Sequence, residues 1–142
     1  MYTAHNRTML DETADNYARC GFRFVPLISK RNGLGCSLDI LFLRRDEPGD
    51  VMKGGDLDNR LKVLCDGLKI PTECSQLTGF TPDADENPFY CLMEDDSLIT
   101  EIKITTDRLL LPIEAHENEV MLVIHATAVI LDAVNAPPGF YP

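Results

Sequence analysis

No run of apolar residues in this sequence approaches the roughly 18 that a membrane-spanning helix needs, so no transmembrane segment is expected. The first residues, MYTAHNRTMLDE, lack both the basic start and the apolar stretch of a secretion signal, and the expectation is a cytosolic protein. Zinc modules and thioredoxin-like motifs are missing too. The cysteines, Cys20, Cys36, Cys65, Cys74 and Cys91, are five in number, form no C-x-x-C pair and have no histidine at zinc spacing, so they read as reduced, mostly structural thiols. Positive charge is scarce in the second half. Residues 1–72 carry 11 of the 13 basic side chains against 10 acidic ones, and residues 73–142 carry 2 against 13, so a net charge of −10 belongs almost wholly to the second half. Such acidity argues against a polyanionic partner, since phosphate contacts need Lys and Arg. The basic side chains that exist are grouped, however: Lys30, Arg31, Arg44, Arg45, Lys53, Arg60, Lys62 and Lys69 fall in one continuous part of the chain.

What is present is enough for one domain. A chain of 142 residues that is 44% hydrophobic can bury a real core, and no internal repeat divides it, so residues 1–142 read as a single unit. Thr8 followed by Asp11 is close to a capping box, and Leu10, Ala14, Tyr17 and Ala18 share one face of a first helix that ends before Gly21. FRFVPLISKRNGLG reads as extended and then turning, and CSLDILFLRR as a strand. Further on, Leu98, Thr100, Ile102 and Ile104 alternate with Ile99, Glu101 and Lys103, the pattern of a half-buried strand, and EVMLVIHATAVI is another, with His125 read as a packed or facing residue rather than a ligand. The proline-rich end, NAPPGFYP, should not continue the sheet.

Between these elements lies GGDLDNRLKVLCDGL, residues 54–68. Leu57, Leu61, Leu64 and Leu68 recur at helical spacing and give a second helix one apolar stripe; Asp58, Lys62 and Asp66 stack on a neighbouring face. One account of the acids is local: Asp58 or Asn59 caps the helix, Asp56 sits in the loop, and Lys62 bridges two aspartates. A second account needs a partner, and EDDSLITEIKI supplies one, with Asp95 and Asp96 at the start of a strand. Brought together, these carboxylates would repel one another unless a divalent cation neutralised them, and Mg²⁺ suits oxygen ligands, retained waters and phosphate oxygens.

Residues 69–94 read as a long irregular loop. Within it DADENPFYCLME imitates a calcium loop, with Asp83, Asp85, Asn87 and Glu94 at ligand positions, but Pro88 stands where that loop requires a glycine of positive φ.

The helix D-L-D-N-R-L-K-V-L-C-D-G-L, followed by D-D and a strand, resembles the signature of the RusA-type Holliday junction resolvases over about residues 54–104. That resemblance implies an α+β fold with a small mixed sheet of three to four strands packed by two helices; the family's N-terminal strand has little room here, so the sheet is expected to be short of it. It implies a Mg²⁺-dependent endonuclease that binds branched DNA, the four-way junction, as a homodimer and cuts two strands symmetrically. Carried over by position, Asp56, Asp58 and Asp96 resemble the metal-binding carboxylates, Asp95 is auxiliary to them, and Lys62 resembles the catalytic lysine, with Asp58 also orienting the attacking water. Arg44, Arg45, Lys53 and Arg60 are expected to border the acidic site. The rival expectation is a RusA-like DNA-binding or assembly protein that has kept the fold and lost the chemistry.

Overall fold

The computed structural model describes residues 8–45, 56–110 and 120–135, and the elements follow in the order α1 (Met9–Asn16), β1 (Ala18–Arg19), β2 (Phe22–Ile28), β3 (Leu34–Arg44), α2 (Asp56–Leu68), β4 (Phe89–Met93), β5 (Ile99–Arg108) and β6 (Val120–Ile130). Lys53 and the end NAPPGFYP, apart from Asn135, lie outside the described residues.

The expected capping box forms: Thr8 Oγ1 accepts from the Asp11 amide at 3.2 Å, and Asp11 Oδ2 accepts from the Thr8 amide at 3.2 Å. α1 is shorter than its apolar spacing suggested. It stops at Asn16, buries Ala14, and gives Ala18 to β1 instead. The reason is the hairpin that follows: Cys20 at φ 56° and Gly21 at φ 82° form the two-residue turn between Arg19 and Phe22, and two successive residues of positive φ are what a twisted hairpin requires.

The fold is α+β, with two helices and six strands divided between two three-stranded mixed sheets, β1-β2-β4 and β5-β3-β6. In the first, β2 pairs antiparallel with β1 and parallel with β4. β4 falls inside the stretch read as an irregular loop, so residues 69–94 are more ordered than the sequence suggested. They contain β4, a short helical turn at Cys74–Leu77, another at Ala84–Glu86, and a parallel bridge from Lys69 to Met93. In the second sheet β3 is central, parallel to β5 from Cys36↔Ile99 to Arg44↔Arg108 and antiparallel to β6 from Leu34↔Ile130 to Arg44↔Val120.

Alternation along β3 sends Leu34, Cys36, Leu38, Ile40 and Phe42 to one buried face. Leu61, Leu64 and Leu68 of α2 pack against that core, as their spacing predicted. A second cluster is aromatic: Phe22 and Phe24 stack at 5.6 Å, and each meets Phe89 edge-on at 5.7 Å, with Ile70 buried beside them.

The five cysteines are not all thiols. Cys20 and Cys74 form a disulfide across Cα atoms 5.3 Å apart, which corrects the reading of a fully reduced set; Cys36, Cys65 and Cys91 are free. Odd number and wide spacing hid the pair, because only the fold brings positions 54 apart in sequence into contact. Burial pushes the Cys91 thiol up to about 11, so it is inert at neutral pH.

Gly33 is the backbone hinge between β2 and β3, at φ +67°, and its carbonyl accepts from the amides of Leu131 at 2.8 Å and Asp132 at 3.0 Å. A Cβ there would run into the Asp132 carbonyl oxygen, a backbone atom that cannot step aside. Gly33→Ala is therefore expected to cost about 2–4 kcal/mol, from the unfavourable φ together with the clash. A denaturant midpoint unchanged by this substitution would contradict the placement of the β2–β3 turn against the end of β6.

Candidate metal and nucleic-acid site

α2 begins at Asp56, so Asp58 lies inside the first turn and not at the cap, and the cap position falls outside the described residues. There its exposed carboxylate faces the positive end of the helix dipole. Asp58, Lys62 and Asp66 follow one another down a solvent-facing ridge, each one turn from the last, and the largely buried Lys69 lies just past the end of the helix. The side chain of Asp56 is outside the description.

The far end of this ridge reaches the second acidic pair. Asp95 and Asp96 lie in the corner between β4 and β5, and Lys69 Nζ sits 3.4 Å from Asp66 Oδ1 and 3.5 Å from Asp96 Oδ2. Burial works against the charged lysine, but the hydrogen bond to Asp66 and the charge of Asp96 outweigh it and raise its pKa. Asp95 Oδ2 accepts a 2.6 Å hydrogen bond from Ser97 Oγ, which holds its carboxyl below the ordinary range and keeps it ionised; Asp96 and Lys69 add to this. The Cys65 thiol is raised by burial and by the neighbouring Asp96 and Asp66.

The orientation of α2 decides which acids meet. Arg60 lies over the Phe42 ring at 5.9 Å, so the start of α2 lies over β3 near its C-terminal end, the end that carries Arg44. The end of α2 lies instead beside the corner that leads into Ile99, the partner of Cys36 at the other end of β3. Eight residues separate Asp58 from Asp66, a rise of about 12 Å along the helix. The acid of α2 that meets Asp96 is thus Asp66, with Lys69 between them; Asp58 and Lys62 stand progressively farther up the ridge.

Neither Asp66 nor Lys69 stood among the expected metal-binding or catalytic residues: Asp66 was placed on the polar face of α2, and Lys69 among the grouped basic side chains. Asp66 belongs to the D-G-L end of the same helix signature, which was the available signal; Lys69 carried none beyond its charge.

The donor chemistry suits Mg²⁺, which is held by one or two carboxylates and keeps its waters. Asp66 and Asp96 already flank one cationic atom, the Lys69 ammonium, and Asp95 beside them is ionised. Among the described residues, though, the acids whose oxygens all come within 4.8 Å of one another are Asp83, Asp85 and Glu86, not Asp58, Asp95 and Asp96. Nor do the former make the imitated calcium loop: Asn87 Oδ1 accepts from Arg23 Nη1 at 3.1 Å, and Glu94 Oε2 from the Lys30 amide at 2.9 Å, so both are engaged elsewhere.

Two clefts adjoin α2, one of about 600 Å³ between the helix and the sheet and one of about 590 Å³ over the aromatic cluster, and Asp58, Lys62, Asp66, Asp95 and Asp96 line neither. These acids lie on an open surface. Among the described residues no helix is long and apolar enough to cross a membrane. Comparison with family models, with curated proteins and with solved structures gave no match for this chain.

Lys69→Met tests the clasp between α2 and the β4–β5 corner. Because the folded pKa of Lys69 is raised, its contribution is fully present below the ordinary lysine value and is lost as pH rises through the folded value. At pH 7 the variant should lose about 0.5–1 kcal/mol, since both carboxylates are partly solvated. The difference from the parent should shrink as pH rises through the folded value of Lys69, above the ordinary lysine range, where the parent lysine discharges. Equal melting temperatures at pH 7 would mean that the clasp stabilises nothing.

Proposed function

We propose that this protein is a Mg²⁺-dependent, structure-selective endodeoxyribonuclease of the RusA kind, which resolves four-way DNA junctions as a homodimer. The observation that carries the proposal is the placement of Asp95 and Asp96 against the helix that bears the whole D-x-D-N…K…D-G-L pattern, so the two parts of the resemblance are neighbours in the fold. An acidic ridge on an open surface, outside the two clefts beside α2, fits a bulky polyanion better than a small substrate. Asp95 and Asp96 would hold Mg²⁺ at the β4–β5 corner, with Asp66 added to the set by its contact through Lys69, whereas Asp56 and Asp58, about two helical turns up the ridge, would not reach the same ion. When bound, the ion would neutralise the acids and supply a water of lowered pKa. Lys62, exposed midway along the ridge, would stabilise charge developing on the scissile phosphate, while Arg44, Arg45 and Arg60 at the start of α2 would hold the DNA backbone.

A second reading is favoured by one specific feature. Lys69 already neutralises Asp66 and Asp96, and Asp58 stands about two helical turns from that pair, an arrangement suited to a RusA-like protein that binds branched DNA without cutting it. The test is a labelled four-way junction with saturating Mg²⁺, with binding and strand cleavage measured separately. Paired nicks near the branch point support the endonuclease; tight, salt-sensitive binding with no nick supports the second reading. Absence of both overturns the family resemblance as a guide to function.

A further inference from the structure

Of the two clefts beside α2, the one over the aromatic cluster has acidic side chains in its lining. That lining also includes the packed rings of Phe22, Phe24 and Phe89 and two rings open to solvent, Phe80 at 70% and Tyr90 at 55% exposure. A volume of about 590 Å³ falls within the range of small-molecule sites, which are largely apolar with a few placed polar groups. The walls are held in place from behind. The Cys20–Cys74 disulfide anchors the helical turn that supplies Leu77, and β4, paired with β2, supplies Phe89, Tyr90, Cys91 and Leu92. A ligand entering here would have to order little of the chain.

The charge of the cleft selects the occupant. Asp83 and Glu86 belong to the lining, and Asp85 stands beside them, with oxygens of the three within 4.8 Å of one another. Among the described residues no lysine or arginine pairs with any of these acids. Lys69 is the one cationic side chain among the described lining residues, and its ammonium is already held between Asp66 and Asp96. Aromatic surface thus adjoins uncompensated negative charge. Anions are repelled there, whereas a cation gains twice: ring faces attract positive charge, and carboxylates accept charged N–H groups.

We infer that this cleft binds a small organic cation, an amine or amidine with a flat aromatic body, whose charged end meets Asp83 and Glu86 and whose ring packs against Phe80 and Tyr90. Offset and edge-on ring contacts favour the flat body over a branched one. The acids of the β4–β5 corner take no part, and binding is read without DNA or metal, so this site and the proposed endonuclease can each fail alone.

The full, oxidised chain is titrated with benzamidinium and, in parallel, with benzamide, a neutral molecule of nearly the same shape, each followed by amide chemical shifts. For so small a ligand a Kd on the order of 1 mM is expected, with benzamide at least about ten-fold weaker. The largest shifts should fall within residues 76–92. Asp83→Asn combined with Glu86→Gln should bring the two affinities together. Glu101→Gln combined with Asp107→Asn removes the same charge from exposed positions of β5, in the other sheet, and should leave the preference intact. Phe80→Ala should weaken both ligands. The parent comparison of cation with neutral molecule depends on no variant, so it decides even if a substitution unfolds the chain. No saturable shift below about 20 mM benzamidinium, equal affinity for benzamide, shifts centred outside residues 76–92, or equal loss of preference in the two double variants would each overturn the inference.

Discussion

Replacing Cys20 and Cys74 by serine should lower the thermal midpoint by roughly 10 °C, a large stability loss for so small a change of volume. The bond closes a loop of 54 residues, for which the chain-entropy relation gives about 4 kcal/mol. In a domain of this size each kcal/mol moves the midpoint by about 2–4 °C. The disulfide ties the tight β1–β2 turn to the short helical turn at Cys74–Leu77, and Leu77 packs on the aromatic cluster of Phe22 and Phe24. Freed from the turn, residues 74–77 should lose their protection before the β5-β3-β6 sheet does. The measurement is a pair of melts, with and without reductant, for parent and double variant. The parent should fall to the variant's midpoint only when reduced. Coincident midpoints in all four samples would show that the bond contributes nothing.

The largest expected effect on activity is that of Asp96→Asn, which should reduce Mg²⁺-dependent junction cleavage by about 10²-fold or more if that carboxylate holds the ion. Asp58→Asn is the companion. Asp96→Asn weakens a partner of Lys69 and should also lower the melting temperature slightly, whereas Asp58 has no such partner among the described residues and should change stability through its favourable place in the first turn of α2, about 0.3–1 kcal/mol. If both variants lose cleavage and keep binding, the two acidic positions act on one reaction despite the length of helix between them. If Asp58→Asn cuts as fast as the parent while Asp96→Asn is dead, the reacting centre is the Asp66, Asp95 and Asp96 corner. Parental rates in both would remove the catalytic role from this ridge altogether.

Much of the fold could be read in the sequence because its elements carry strong periodicity. The leucines of α2 at i, i+4, i+7 and i+11 could form only one apolar stripe, and three of them found the core. β3, β5 and β6 alternated or ran apolar between clear breakers, and the Thr8–Asp11 pair marked the start of α1. β4 was hidden. FYCLM follows Pro88 in a polar stretch and has no alternation of its own; it is a strand because Phe24, Val25 and Pro26 of β2 lie alongside. The disulfide was hidden for the same reason, as contact between distant positions leaves no local mark. For the site, the helix and the acidic pair were legible but not the end of the helix at which they meet. That depends on the direction in which α2 crosses β3, which the Arg60–Phe42 contact reveals and no spacing encodes.

The register of β3 also fixes an order of events during synthesis. Its antiparallel partner begins at Val120, opposite Arg44, so 76 residues must be added after β3 is complete before pairing with β6 can start. At typical elongation rates of about 5–20 residues per second that is roughly 4–15 seconds. Among the described residues encoded between the central strand and β6, α2 is the first that can cover its apolar side chains, followed by Met93 of β4 and by β5. The amphipathic helix that bears the candidate chemistry is therefore also the first shelter available to the nascent core, and variants that weaken its leucine stripe should reduce the yield of folded chain more than their effect on the finished domain implies.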